Sequence, residues 1–136
     1  MACITSYQVL IQEVLKRITK HVAWILGGRG VQDVLFAVDA PPYQFGTTLR
    51  CYDVALDAWH ISWMQPASGE YVHLFGRKVG DRIVQEGAGP DQRRHERWSF
   101  TDITPDTFTW LGEVSFDGGA VWFVEQEMRA IRRAAS

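Results

Sequence analysis

The sequence predicts a mainly β protein: an antiparallel barrel of about nine strands preceded by an N-terminal amphipathic helix. Three observations carry this. From residue 21 onward, short apolar segments alternate with Gly- and Pro-containing turns at close spacing. Before that, residues 6–19 carry apolar side chains at three- and four-residue spacing, which is the helical period. The chain of 136 residues suits one domain whose core needs no staple.

The predicted elements run as follows. The helix stripe is Tyr7, Leu10, Ile11, Val14 and Ile18, with Ser6 as N-cap and Lys16, Arg17 and Lys20 at the C-terminal end. Strands are expected near residues 21–26, 31–38, 46–53, 58–65, 70–78, 81–86, 93–101, 106–115 and 120–131. Turns fall at Gly27-Gly28-Arg29-Gly30, Pro41-Pro42, Asp57, Pro66-Ala67-Ser68-Gly69, Gly87-Ala88-Gly89-Pro90, Pro105 and Asp117-Gly118-Gly119. An aromatic, a turn Asp and a Trp recur three times, at Tyr52 to Trp59, Phe100 to Trp110 and Phe116 to Trp122, as a repeated hairpin solution.

Composition narrows the function classes. Six Trp, seven Phe and four Tyr make the chain aromatic-rich, and the net charge of -2 argues against a general nucleic-acid binder. Cys3 and Cys51 do not form a disulfide framework, the first residues lack the basic start of a signal peptide, and no apolar run is long enough for a membrane span. A cytoplasmic protein is expected.

Hairpin parity locates the inside, because a one-residue slip sends every side chain to the other face. A three-residue loop at Gly118-Gly119-Ala120 pairs Gly112 with Gln126 and Trp110 with Met128. It puts Trp98, Phe108, Trp110 and Trp122 inside and Glu125 and Glu127 outside. The preceding hairpin then pairs Trp98 with Trp110 and Glu96 with Gly112, so Glu96 and Gln126 flank a glycine that leaves room. A four-residue loop from Val54 to Asp57 pairs Tyr52 with Trp59, Arg50 with Ile61 and Thr48 with Trp63. Arg50 therefore shares a face with Trp59 and Trp63. The facing of His73 stays open.

A few polar groups in an apolar concavity describe a small-molecule site. Arg50, Glu96 and Gln126 are those groups; the structural alternatives are a buried ion pair between Arg50 and Glu96, or a place for them at a wet barrel mouth. The stretch Ser115 to Trp122 is similar to the Asp-box hairpin, Ser-x-Asp-x-Gly-x-Thr-Trp, with Val121 in the Thr position; its Asp is expected to hold the turn. His21, His60, His73 and His95 lie far apart, so no metal site is expected. Gly27 to Gly30 precedes a strand, not the helix a phosphate loop needs. The run Arg93, Arg94, Arg97 is interleaved with Glu96.

Taken together, Gly27-Gly28-Arg29-Gly30-Val31-Gln32-Asp33-Val34, Gly46 to Asp53, Trp59, Trp63, Arg97 to Ile103, Phe108-Thr109-Trp110 and Glu113 through Trp122 resemble a family of small bacterial lipocalin-like proteins. The resemblance covers roughly residues 22–133 and implies a calycin-type barrel with possible small-ligand binding. It supplies no catalytic residue. Such proteins usually begin with a segment ending in a Gly-x-Trp strand that helps close the barrel. Here residues 1–20 read as helix, which leaves closure open and points to an exposed edge or a partner.

The leading expectation is an apolar or aromatic ligand held by Trp59, Trp63, Trp98 and Trp110 and oriented by Arg50, Glu96 and Gln126. The alternatives are an enzyme using Glu96 as general acid/base in the same cavity, and a filled barrel acting through its oligomeric surface. No cofactor, nucleic-acid or membrane partner is expected; a homodimer is.

Overall fold

The computed structural model describes residues 5–88 and 93–133. Cys3, Gly89 and Pro90 lie outside them. Ten antiparallel strands follow one another in chain order: β1 (Thr5–Ile11), β2 (Lys16–Ile25), β3 (Gly30–Ala37), β4 (Tyr43–Asp53), β5 (Ala58–Gln65), β6 (Glu70–Val79), β7 (Arg82–Ala88), β8 (His95–Thr101), β9 (Thr107–Ser115) and β10 (Phe123–Arg132). Each pairs with its sequence neighbours, and β1 pairs with β10, so the barrel is closed. This is an up-and-down arrangement, and closure removes the free edges that would template association.

The N-terminal helix is not formed. Residues 6–19 instead make most of the β1–β2 hairpin, in register from Thr5 opposite Val22 to Ile11 opposite Lys16. The segment fits two periods. Tyr7, Leu10, Ile11, Val14 and Ile18 follow the helical one, whereas Tyr7, Val9 and Ile11 alternate, as do Lys16, Ile18 and Lys20. Three β-branched residues, Val9, Ile11 and Ile18, favour the strand reading. Tertiary pairing decides it: β1 closes the barrel against β10 from Tyr7 opposite Arg132 to Ile11 opposite Met128. Val14 and Leu15 then sit exposed in the turn, not on a buried stripe.

Among the described residues the strand count is therefore ten, the extra one being β1. Ten strands enclose a wider lumen than the eight that side chains nearly fill. Two buried clusters face each other across it. Ile61, Trp63, Val72 and Leu74 form one, Val9, Ile18 and Ala130 the other, and Leu35 and Phe45 pack against both.

Registers follow the parity argument with two exceptions. Arg50 opposes Ile61, Thr48 opposes Trp63 and Tyr52 opposes Trp59, as expected. Gly112 opposes Gln126 and Trp110 opposes Met128, also as expected. The β8–β9 pairing is shifted by two residues: Trp98 faces Gly112 and Glu96 faces Val114. An even shift keeps every side chain on its face. The other exception matters more. A bulge lies between Val124 and Gln126. The extra residue flips the faces on its turn side, so Val124 pairs with outward-facing Glu113, and Trp122 is not in the lumen. Trp122 lies outside, with the Arg97 guanidinium 4.1 Å from its ring.

Candidate functional site

The connections at residues 12–15, 38–42, 66–69 and 116–122 ring one end of the barrel. Lys16, Tyr43, Gln65, Ala67, Glu70, Arg94 and Glu125 line the cavity mouth there. From this mouth a cavity of about 830 Å³ runs inward between Trp63, Trp98, Trp110, Phe45 and Phe108. Farther in it ends against a polar group made by β2, β3, β4 and β7.

Asp33 centres that group. Its Oδ2 accepts from Arg50 Nη1 at 2.7 Å and lies 3.2 Å from Lys20 Nζ. Its Oδ1 accepts from the Thr48 backbone N–H at 3.0 Å. Arg50 Nε donates to Gln85 Oε1 at 3.0 Å, and Gln85 Nε2 donates to the Trp98 carbonyl at 3.3 Å. Asp33 and Gln85 are each 1% exposed. Phe100 flanks both cations, 5.1 Å from Lys20 Nζ and 5.4 Å from the Arg50 guanidinium. Burial alone would raise the Asp33 carboxyl, but the Lys20 and Arg50 charges and the Arg50 and Thr48 hydrogen bonds overcome it and hold the pKa at about 2. Burial lowers the Lys20 pKa, and Arg50 adds to this; Asp33 opposes both. Two cations thus share one carboxylate at the inner end of an aromatic cavity.

The mouth has the opposite character. Arg94 bonds Glu96 at 3.1 Å and Glu125 at 2.5 Å, and Trp63 Nε1 donates to Glu70 at 3.1 Å. Glu96 is 7% exposed. Its carboxyl pKa is raised, chiefly by burial, with Glu125 and Glu70 reinforcing and Arg94 opposing.

Of the residues singled out in the sequence, Arg50, Trp63, Glu96, Trp98, Trp110 and Gln126 all line this cavity. Trp59 does not. Its ring meets Tyr52 edge-on at 5.5 Å and packs beneath the Ile61 cluster. Arg50 and Glu96 do not pair; Arg50 is bound to Asp33 and Gln85, Glu96 to Arg94. Gly112 lines the cavity too, but the room its missing side chain leaves goes to a protein ring. A methyl group there would lie 2.7 Å from the Trp110 ring, so that indole already covers it. Glu125, expected outside, lines the mouth because it is the bulged residue.

Lys20, Asp33 and Gln85 were not singled out by sequence. Lys20 lay in a segment with helical spacing. Asp33 shares parity with Val31, Leu35 and Ala37, an inward charge on an apolar strand face, and that was the available signal. No family model matches this chain, and no curated protein matches it.

The remaining motifs are accounted for structurally. Asp117 accepts from the Ala120 and Val121 N–H groups at 3.0 and 2.9 Å and from Ser115 Oγ at 2.8 Å, so the Asp-box residues brace their own turn. His73 faces outward and is exposed, within 3.0 Å of Ser62 Oγ. Arg97 is bidentate to Glu113. Among the described residues no group of three or more His, Cys, Asp or Glu is placed to hold a metal ion, and no helix is long and apolar enough to cross a membrane.

Proposed function

We propose that this barrel binds a small amphipathic molecule, an aromatic or apolar carboxylate, with its anionic head toward Lys20 and Arg50. One observation carries the reading: two cations share one carboxylate at the inner end of a cavity of about 830 Å³ walled by three tryptophans. A ligand anion supplies the missing negative charge where few waters compete, and Arg matches carboxylate geometry. The volume falls within the range typical of small-molecule sites. It also speaks against a filled barrel. Gln126 and Glu96 would orient the outer end of the ligand. Membership in the bacterial lipocalin-like family belongs to the same proposal, supported by the closed up-and-down antiparallel barrel.

Thermal-shift titration with 2-naphthoate, cinnamate and dodecanoate tests this. At least one acid should raise the melting temperature of the parent and raise that of Arg50→Ala less. Equal shifts in both would remove Arg50 as the anchor, and no shift with any acid would overturn the reading.

A second reading, an enzyme with Glu96 as general acid/base, is favoured by one observation: the buried Glu96 carboxyl has a raised pKa. Its discriminating variant is Glu96→Gln, which would abolish turnover while keeping ligand binding. The homodimer is also a proposal, now on different grounds, since the helix is a hairpin and β1 meets β10. Its support is the exposed Val14, Leu15, Phe123 and Val124 at the mouth end. Light scattering at micromolar concentration would return twice the 15.5 kDa chain mass for a dimer. A cytoplasmic location is likewise proposed, supported by the free Cys51 thiol.

A further inference from the structure

Lys20 and Arg50 address the same carboxylate oxygen, Asp33 Oδ2, at 3.2 and 2.7 Å. One negative charge cannot neutralise two positive ones. Of two cations sharing one carboxylate oxygen, the one that is the stronger acid is the more readily deprotonated. A guanidinium holds its proton in proteins, whereas a buried amine gives it up. Lys20 is that amine. Its Nζ lies 5.1 and 5.3 Å from the Phe100 and Phe108 ring centres, and its side chain is 12% exposed. Burial, aided by the Arg50 charge and opposed by Asp33, lowers its pKa. Lys20 also lines the cavity, so an amine that gives up its proton more readily than an exposed lysine faces whatever enters.

We propose that Lys20 is a covalent attachment site, whose amine condenses with the aldehyde of a lumen-bound aromatic or apolar compound to give an imine. The proposal rests on the lumen being a ligand site, though not on that ligand being an acid. The neutral amine adds its lone pair to the carbonyl carbon, and the carbonyl π pair moves to oxygen. A proton passes from nitrogen to that oxygen, giving a carbinolamine. The nitrogen lone pair then forms the C=N bond as the hydroxyl departs, taking a second proton from nitrogen and leaving as water. One water is released, and no oxidant or reductant takes part. When the imine is protonated, its charge stands where the ammonium stood, beside Asp33.

The chain has two other lysines, Lys16 and Lys78, and both are exposed. Lys78, which does not line the cavity, serves as the internal control, and Lys16, at the mouth, reports attachment that stops short of the inner end. The test incubates the folded protein with 2-naphthaldehyde and sodium cyanoborohydride at neutral pH, followed by intact mass and peptide mapping. The expected result is a single reduced adduct on Lys20, at least tenfold above Lys16 or Lys78. Excess 2-naphthoate should suppress it. Lys20→Arg and Lys20→Met, each checked for a native near-ultraviolet spectrum, should lose it. Label spread over Lys16, Lys78 and the N-terminal amine, or undiminished in both variants, overturns the proposal. If the parent takes no label while 2-naphthoate still raises its melting temperature, the covalent site falls and the binding reading stands. If the parent takes no label and none of the three acids raises its melting temperature, both fall.

Discussion

Asp33 decides the electrostatics of the inner lumen, because two largely covered cations, Lys20 and Arg50, depend on it. Removing one partner of a buried ion pair strands the other, at roughly 3–5 kcal/mol. Asp33→Asn should therefore lower stability by about that amount in guanidinium melts. Lys20→Met removes the surplus charge and leaves Asp33 paired with Arg50, so it should be neutral or stabilising. The pH dependence follows from the same residue. The folded Asp33 pKa, about 2, lies below the ordinary 3.8. The unfolded chain therefore binds more protons between those values. The stabilisation is complete above pH 3.8 and is lost as pH falls toward 2. It amounts to on the order of 2 kcal/mol. An acid titration of Asp33→Asn should lack this loss; an identical profile would contradict the assignment.

Gly46 offers a packing test at the same scale. A methyl group there would lie within 3.0 Å of three Trp63 ring carbons. Trp63 is pinned by Glu70 and by Trp98, whose ring centre is 6.4 Å away, so it cannot easily yield. Gly46→Ala should cost roughly 1–3 kcal/mol, and pairing it with Trp63→Leu should recover part of that loss. Additive losses in the double-mutant cycle would show that the two positions do not interact.

Among elements, β10 shows what parity can and cannot read. Alternation identified Gln126 and Met128 as inward, and both line the lumen. It misassigned Trp122 and Glu125, because a bulge depends on backbone hydrogen bonding that alternation does not encode. The flip has a direct check. Val124→Lys, on the outer face, should change stability by no more than about 0.5 kcal/mol. Met128→Lys, beside the cluster of Val9, Ile18 and Ala130, should be strongly destabilising. Similar costs for the two would place Val124 inside. At β1–β2 the sequence was ambiguous between two periods, and only pairing with β3 and β10 resolves it. Leu15 carries that turn at φ 50°, 74% exposed. Leu15→Asn, which tolerates that conformation, should stabilise by several tenths of a kcal/mol in a thermal melt.

At the scale of the whole molecule, the barrel class was legible because turn spacing and hairpin parity are local properties. Closure was not, since β1 meets β10 across nearly the full length of the chain. The inner polar group was half legible for the same reason. Arg50 sits in a hairpin whose four-residue loop fixes its register, whereas its contacts to Asp33 and Gln85 span 17 and 35 residues.

The central claim is that this closed lumen holds an anionic head against surplus positive charge. Isothermal titration of 2-naphthoate against its uncharged isostere 2-naphthamide, on the parent and on Arg50→Gln, tests it most directly. Hydrogen bonds to charged groups contribute about 1.5–3 kcal/mol each. The parent should therefore prefer the acid by roughly tenfold or more, and Arg50→Gln should lose most of that preference. Equal affinity of the parent for acid and amide, or a preference unchanged in Arg50→Gln, would contradict the account.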